Sequence, residues 1–303
     1  MNPATVTPPR NFARWTATGT SKSPTLTLLI AAWQIEGWAA IMPVSTAPIA
    51  PQLPEKKVNW ELAKGCLAEL SREAPSILSQ GVIIGGIACW FYRHLLSKAH
   101  DADFKVPVLS AAQEQLWLSK DIDFTNFFAQ DARDLLKKYI VQDSQGRLQV
   151  KLANIPIGFA QVGVTFDPES AWTESWIGTF KWEEKTVQCR ILDPISLYRE
   201  KQALSQRRGY ESDGLHCALV AEYLRYETCL QVKILAASKS LEERTKPLKF
   251  LFAIRDRAPE VCHNEKVHRR IHETISEAAS ITPAEATLLS ELGGDAQPSS
   301  GSL

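Results

Sequence analysis

The stretch from Leu116 to Phe127, LWLSKDIDFTNF, sets two acids, Asp121 and Asp123, around one isoleucine inside an otherwise apolar run. Acids are depleted in strands and costly to bury without a partner. In a strand, residues i and i+2 share a face. The segment therefore predicts a strand over 121–124, with Ile122 and Phe124 turned one way and both carboxyls the other. The ~3.3 Å rise per residue sets the two carboxyls roughly 6–7 Å apart along that face. Unpaired, they repel and raise one another's pKa.

A divalent cation removes that conflict. Hard oxygen ligands in this arrangement suit Mg²⁺, which commonly takes one or two carboxylates plus substrate phosphates. Upstream, Val82–Ile84 reads as a short apolar strand and Ile87–Lys98 as a helix, with Gly85-Gly86 as the sharp turn between them. Glycine permits the tight turn and lets a ligand approach the backbone. The first turn of the following helix offers free N–H groups to a phosphate. A phosphate cradle beside a metal site is what phosphoryl chemistry needs. Separately, a Gly-Gly pair is ordinarily a turn and an Asp-x-Asp ordinarily a cap or surface feature. Their order and strand context make the pattern specific.

The rest of the chain places these motifs. With 45% hydrophobic and 22% charged residues, it has the composition of a globular protein. Residues 1–57, rich in Pro, Thr, Ser and Ala, show no sustained period and read as an unstructured or non-native extension. Asn59 is an N-cap for a helix reaching Leu78. A long connection spans 99–117. Ala129–Val141 reads as a helix, and Leu148–Leu152, Val162–Phe166, Ile177–Trp182 and Val187–Leu192 as strands. From Asp193-Pro194, an N-cap and first-turn pair, the pattern is helical: 194–206, 212–236, a capping box at Ser240–Glu243 with a kink near Pro247, and 261–279. The expectation is an α+β chain, with a mixed-sheet domain over 58–193, a helical domain over 194–292 and an unordered tail over 293–303.

The pattern VIIGGIACWFYRHLL followed by LSKDIDF resembles the nucleotidyltransferase fold of the DNA polymerase beta superfamily, more narrowly the AbiE-type toxin nucleotidyltransferases and their bacterial relatives. The later stretch ILDPISLYREKQALSQRRGYESDGLHCALVAEYL, with Lys201, Arg207 and Arg208, is similar to the helix that follows in that family. The resemblance covers 80–225 and implies Gly85 and Gly86 at a triphosphate, Asp121 and Asp123 on Mg²⁺, and Lys201 as a phosphate contact. It implies transfer of a nucleoside monophosphate from a nucleoside triphosphate to an RNA or protein acceptor. By analogy alone it also implies an antitoxin partner. The superfamily adds a third carboxylate from a neighbouring strand. Asp167 and Asp193 are the candidates, and each reads equally as a turn or cap residue. Residues 99–117 stand as an insertion against the family pattern. If no third carboxylate serves, the alternative is a catalytically inactive module acting through protein or RNA contact.

Other features bound the function. The formal net charge is zero, so whole-molecule attraction to nucleic acid or anionic membrane is not indicated. The six cysteines form no CxxC pair and read as buried free thiols of a cytoplasmic protein. No run of 18 or more apolar residues suggests a membrane span. The segment 26–42, LTLLIAAWQIEGWAAIM, is open to three readings: a poorly ordered extension, a short amphipathic segment, or an upstream stretch preceding a start at Met42. Trp172, Trp176 and Trp182 read as packing residues rather than a base-stacking platform. His263, His268 and His272 read as solvated helix surface.

Overall fold

The computed structural model describes residues 58–99, 101–127, 129–143, 145–160, 163–278 and 281–293. The extension over 1–57 and the tail beyond Gly293 lie outside the described residues.

Two helices open the described chain, α1 (Trp60–Glu73) and α2 (Pro75–Gln80). The single helix expected to Leu78 is broken at Ala74, because Pro75 disfavours a helical residue before it and restarts the helix at its first position. Strand β1 (Val82–Ile84) runs into α3 (Gly85–Lys98), so the two glycines are the first residues of the helix rather than a separate turn. The connection over 99–117 contains α4 (Ala111–Trp117), closed by a capping box between Ser110 and Gln113. Strand β2 (Ile122–Thr125) follows, with Ile122 and Phe124 fully buried as expected.

The predicted helix over 129–141 is corrected. Helix α5 (Ala129–Leu135) ends early, a 3₁₀ turn follows, and Ile140–Gln142 is strand β3. It forms a hairpin with β4 (Leu148–Leu152), whose turn is fixed by the Asp143 carboxylate accepting from the backbone of Gln145 and Arg147. The predicted strand over 162–166 is also corrected. Residues 163–166 are loop, Val162 lies outside the described residues, and the strand is β5 (Ile155–Phe159). Pro156 and Gly158 hide it, since both are depleted in strands. Pro156 is tolerated because β2 pairs β5 only from Ile157 onward. After α6 (Pro168–Thr173), the hairpin β6 (Trp176–Trp182) and β7 (Lys185–Ile191) completes a seven-stranded mixed sheet in the order β3-β4-β5-β2-β1-β7-β6.

The remainder is helical: α7 (Pro194–Arg208), α8 (Glu211–Ala237), α9 (Leu241–Arg257), α10 (Glu265–Glu277) and α11 (Pro283–Gly293). The architecture is thus α+β. Pro247 sits inside α9 without ending it. Helix α8 is one unbroken element, and α3, α4, α7, α9 and α10 pack against it. Tyr92 on α3 donates its hydroxyl to the Leu192 carbonyl at the end of β7, at 2.7 Å. One apolar core therefore runs from the sheet into the helices. Trp176 packs against Tyr92, Tyr223 and Phe250, and Trp172 lies under the Arg190 guanidinium. The cysteines are all free, and only Cys217 is less than fully buried. His263 and His272 are exposed and His268 is half-buried. Among the described residues no helix is long and apolar enough to cross a membrane.

Phe124 is fully buried on the central strand β2 and stacks on Phe159. Phe124→Ala should lower unfolding free energy by ~3–5 kcal/mol through lost burial and a residual cavity. Leu148→Ala, at a residue 56% exposed on β4, should change it by less than ~1 kcal/mol. Urea unfolding of both variants checks the contrast.

Candidate functional site

The site begins with strand register. β1 pairs antiparallel with β2 so that Ile84 faces Asp123. The next residue, Gly85, has φ +68°, a conformation that carries little cost only for glycine. A Cβ on Gly85 would lie 3.3 Å from an Asp123 carboxyl oxygen, and one on Gly86 would lie 2.8 Å from the Ser119 hydroxyl oxygen. Each glycine thus lets the start of α3 press against the acidic strand. No side chain caps this helix start.

Asp121 and Asp123 do share one side, as alternation requires, although Asp121 lies one residue ahead of β2. Their carboxyls are close enough to hydrogen bond. This is nearer than the spacing expected for a regular strand, since Asp121 is outside the pleat. Burial first, and the Asp121 charge second, push the Asp123 carboxyl from 3.8 up to about 7.

β2 pairs on its other side with β5, in parallel, with Gly158 opposite Asp123. A Cβ on Gly158 would run into the Asp123 carboxyl. The next residue of that face, Ala160, lines the same cavity. The neighbouring strand therefore presents glycine and alanine beside the acidic pair, not a carboxylate.

Helices α7 and α8 form the facing wall. Lys201 donates to Asp213 at 2.8 Å, with both side chains under 10% exposed. The adjacent Glu200 accepts from the Val164 and Thr165 backbone N–H groups and from the Thr165 hydroxyl, and so ties loop 163–166 to α7. His216 places Nε2 3.3 Å from the Trp117 carbonyl. A carbonyl only accepts, so Nε2 carries the proton and Nδ1 is a bare acceptor. Burial chiefly, with the Lys201 charge next, pushes His216 down to about 3 and keeps it neutral.

These groups surround a cavity of about 550 Å³. Of the sequence-predicted residues, Gly85, Gly86, Asp121, Asp123 and Lys201 all line it. Asp167 does not join them. Its carboxylate caps α6, accepting from the Glu169 and Ser170 N–H groups, and these bonds hold its carboxyl below the usual range. Asp193 caps α7. Glu200, Asp213, Ser119 and His216 are site residues that sequence reasoning missed. The available signal was the placement of Lys201 and Asp213 on either side of Gly209, where two helices fold back on one another.

Chemically, Asp121 and Asp123 offer a two-carboxylate donor set for a hard cation, completed by ligands from a bound anion. Among the described residues no group of three or more His, Cys, Asp or Glu side chains is arranged to hold a metal ion. The donor set fits a cation carried in with a phosphate ligand better than a resident, all-protein metal site.

No family model and no curated protein matches the chain. Among solved structures, the crystal structure of an antigenic nucleotidyltransferase-like protein from Paracoccidioides brasiliensis aligns with 66% of this chain and 92% of its own, at 13% identity and a TM-score of 0.32. A likeness at that level transfers neither residues nor activity.

The raised Asp123 carboxyl sets the sign of a pH effect. The folded state holds this proton up to about pH 7, whereas an unfolded aspartate releases it near ~3.9. The native state binds more protons between those values, so stability falls as pH rises through that window. Asp123→Asn should stabilise the protein at pH 8 and give no such gain at pH 4, read from urea midpoints at both values.

Proposed function

We propose that the chain is a nucleotidyltransferase of the AbiE-like kind. It takes a nucleoside triphosphate with Mg²⁺ into the 550 Å³ cavity and transfers the nucleoside monophosphate to a hydroxyl on an RNA or protein acceptor. The observation that carries this reading is the convergence of Gly85-Gly86, the Asp121–Asp123 pair and Lys201 on one cavity.

The roles follow from chemistry. The N–H groups at the start of α3 meet phosphate oxygens where no side chain competes for them. Asp121 and Asp123 hold the ion, and Lys201 adds positive charge from the facing wall. When bound, Mg²⁺ supplies charge neutralisation at the phosphates and replaces the proton that otherwise settles the carboxyl pair. The acceptor oxygen forms a bond to the α-phosphorus as the bond to pyrophosphate breaks. Glu200 positions loop 163–166, which closes one side of the cavity. A cytoplasmic location belongs to the same reading. An antitoxin partner rests on the family resemblance alone.

Gly158 and Ala160 favour a second reading, a module that binds nucleotide without transferring it. They occupy the strand positions from which a third carboxylate would come.

Calorimetry with each of the four nucleoside triphosphates, with and without Mg²⁺, tests binding. Wild type should bind at least one in a Mg²⁺-dependent way, and Asp121→Asn/Asp123→Asn should weaken that binding tenfold or more, about 1.4 kcal/mol. Metal-independent binding, or none, sinks both readings. Incubation with α-labelled triphosphate and total RNA or protein then separates them. Transferred label supports the enzyme, and metal-dependent binding without transfer supports the module.

A further inference from the structure

The sheet ends at β6, and among the described residues no strand pairs with its outer edge. The β6–β7 hairpin shows which groups that edge offers. Glu183 and Glu184 form its two-residue turn, with Trp182 paired to Lys185. Such a turn closes on a hydrogen-bonded pair, and antiparallel pairs alternate from there. Gly178 and Phe180 therefore bond inward to β7, while Ile177, Thr179 and Lys181 direct their N–H and C=O groups away from it. None of these three makes a backbone hydrogen bond to a described residue outside the sheet. All three are exposed, Ile177 at 65%. A free edge of this kind is a template for another strand.

The edge is also charged. A cavity of about 440 Å³ lies beside it, lined by Thr179 and Lys181 of β6, Lys64 of α1, and His94 and Lys98 of α3. No carboxylate lines it. Lys98 and Lys181 are exposed and ion-pair with no described residue. Lys64 pairs with Glu61 on its own helix at 2.8 Å, but the Glu61 side chain is 67% exposed, and such surface pairs contribute little. Burial first, then the Lys98 and Lys64 charges, hold His94 below its usual range against the opposing effect of Glu61. The cavity gathers positive charge that its own walls do not balance. None of its residues belongs to the first cavity.

We propose that β6 is a docking edge for an extended acidic segment of a partner protein, which adds to the sheet as a further strand with its carboxylates at Lys64, Lys98 and Lys181. Main-chain bonds to Ile177, Thr179 and Lys181 supply the pairing, and charge selects the partner. A second copy is disfavoured, because a lysine on an edge discourages pairing with its like. The extension over 1–57 is net basic, so charge argues against that occupant too. Nucleic acid would use the charge and leave the backbone groups of the edge without strand partners. The site does not depend on the triphosphate reading.

The test is fluorescence anisotropy of a labelled heptapeptide of alternating valine and glutamate, titrated with the full chain. The peptide should bind saturably. The same peptide with its backbone nitrogens methylated keeps its charge but loses its donors, and should bind about tenfold or more weakly. Lys98→Glu/Lys181→Glu, at exposed positions, should weaken binding about tenfold or more by reversing the charge that attracts it. Thr179→Pro removes an N–H that points away from β7, a position where an edge strand tolerates proline. It should weaken the peptide about tenfold while urea unfolding shows the fold intact. If that variant unfolds, the methylated peptide still decides. The proposal is overturned by any of four results: no saturable binding in the millimolar range, equal binding of the methylated peptide, indifference to the lysine substitutions, or tighter binding of an RNA oligomer than of the peptide. Sedimentation that shows a dimer of the chain dissociated by Thr179→Pro overturns it as well, since a second copy then holds the edge.

Discussion

The pairing of Ile84 with Asp123 across β1 and β2 fixes nearly everything about the first cavity. β1 is only three residues long, and all three are buried. Its register sets where α3 begins, and therefore where Gly85 and Gly86 stand relative to the acids. A one-residue slip would turn Asp123 into the core and bring Ile122 or Phe124 to the cavity. The large apolar residues flanking the acids resist that slip, since Ile122 and Phe124 are both fully buried. The same strand then sets the other side. Parallel pairing with β5 brings Gly158 against Asp123, and a Cβ there would force the Asp123 carboxyl to move.

The parts legible in the sequence were those whose signal is local. Alternation around Ile122 placed the two acids on one side, and the apolar run before Gly85 placed β1. Asn59, Asp193 and Ser240 announced helix starts by side-chain chemistry, and all three cap in the structure. What failed depended on distant partners. Ile140–Gln142 has a helix-compatible pattern and becomes a strand only because β4 lies beside it. Ile155–Phe159 contains a proline and a glycine, and it is a strand because β2 and β4 flank it. The facing wall of the site was missed in the same way. Glu200, Asp213 and His216 are ordinary helical residues by sequence, and only the packing of α7 and α8 aims them at the acidic strand. Asp167 failed for the opposite reason, since its local capping role is satisfied within four residues.

The Asp123 carboxyl stays raised although a lysine stands on the facing wall. Lys201 is the buried cation on the facing wall, and it is committed to Asp213 at 2.8 Å. Removing either member of such a pair leaves an uncompensated buried charge, so the lysine is not free to swing to Asp123. Its field does lower the Asp123 carboxyl, but by less than burial and Asp121 raise it. The Asp123 carboxyl therefore holds its proton up to about pH 7. Near neutral pH the proton is weakly held, so a divalent ion competes with it at little cost. That competition is the physical content of the nucleotidyltransferase reading. Two carboxylates without a third leave coordination positions for phosphate oxygens and water. Under that reading, with Gly158 and Ala160 on the adjacent strand, phosphate oxygens and water would complete the coordination, so metal and triphosphate should bind together rather than in sequence.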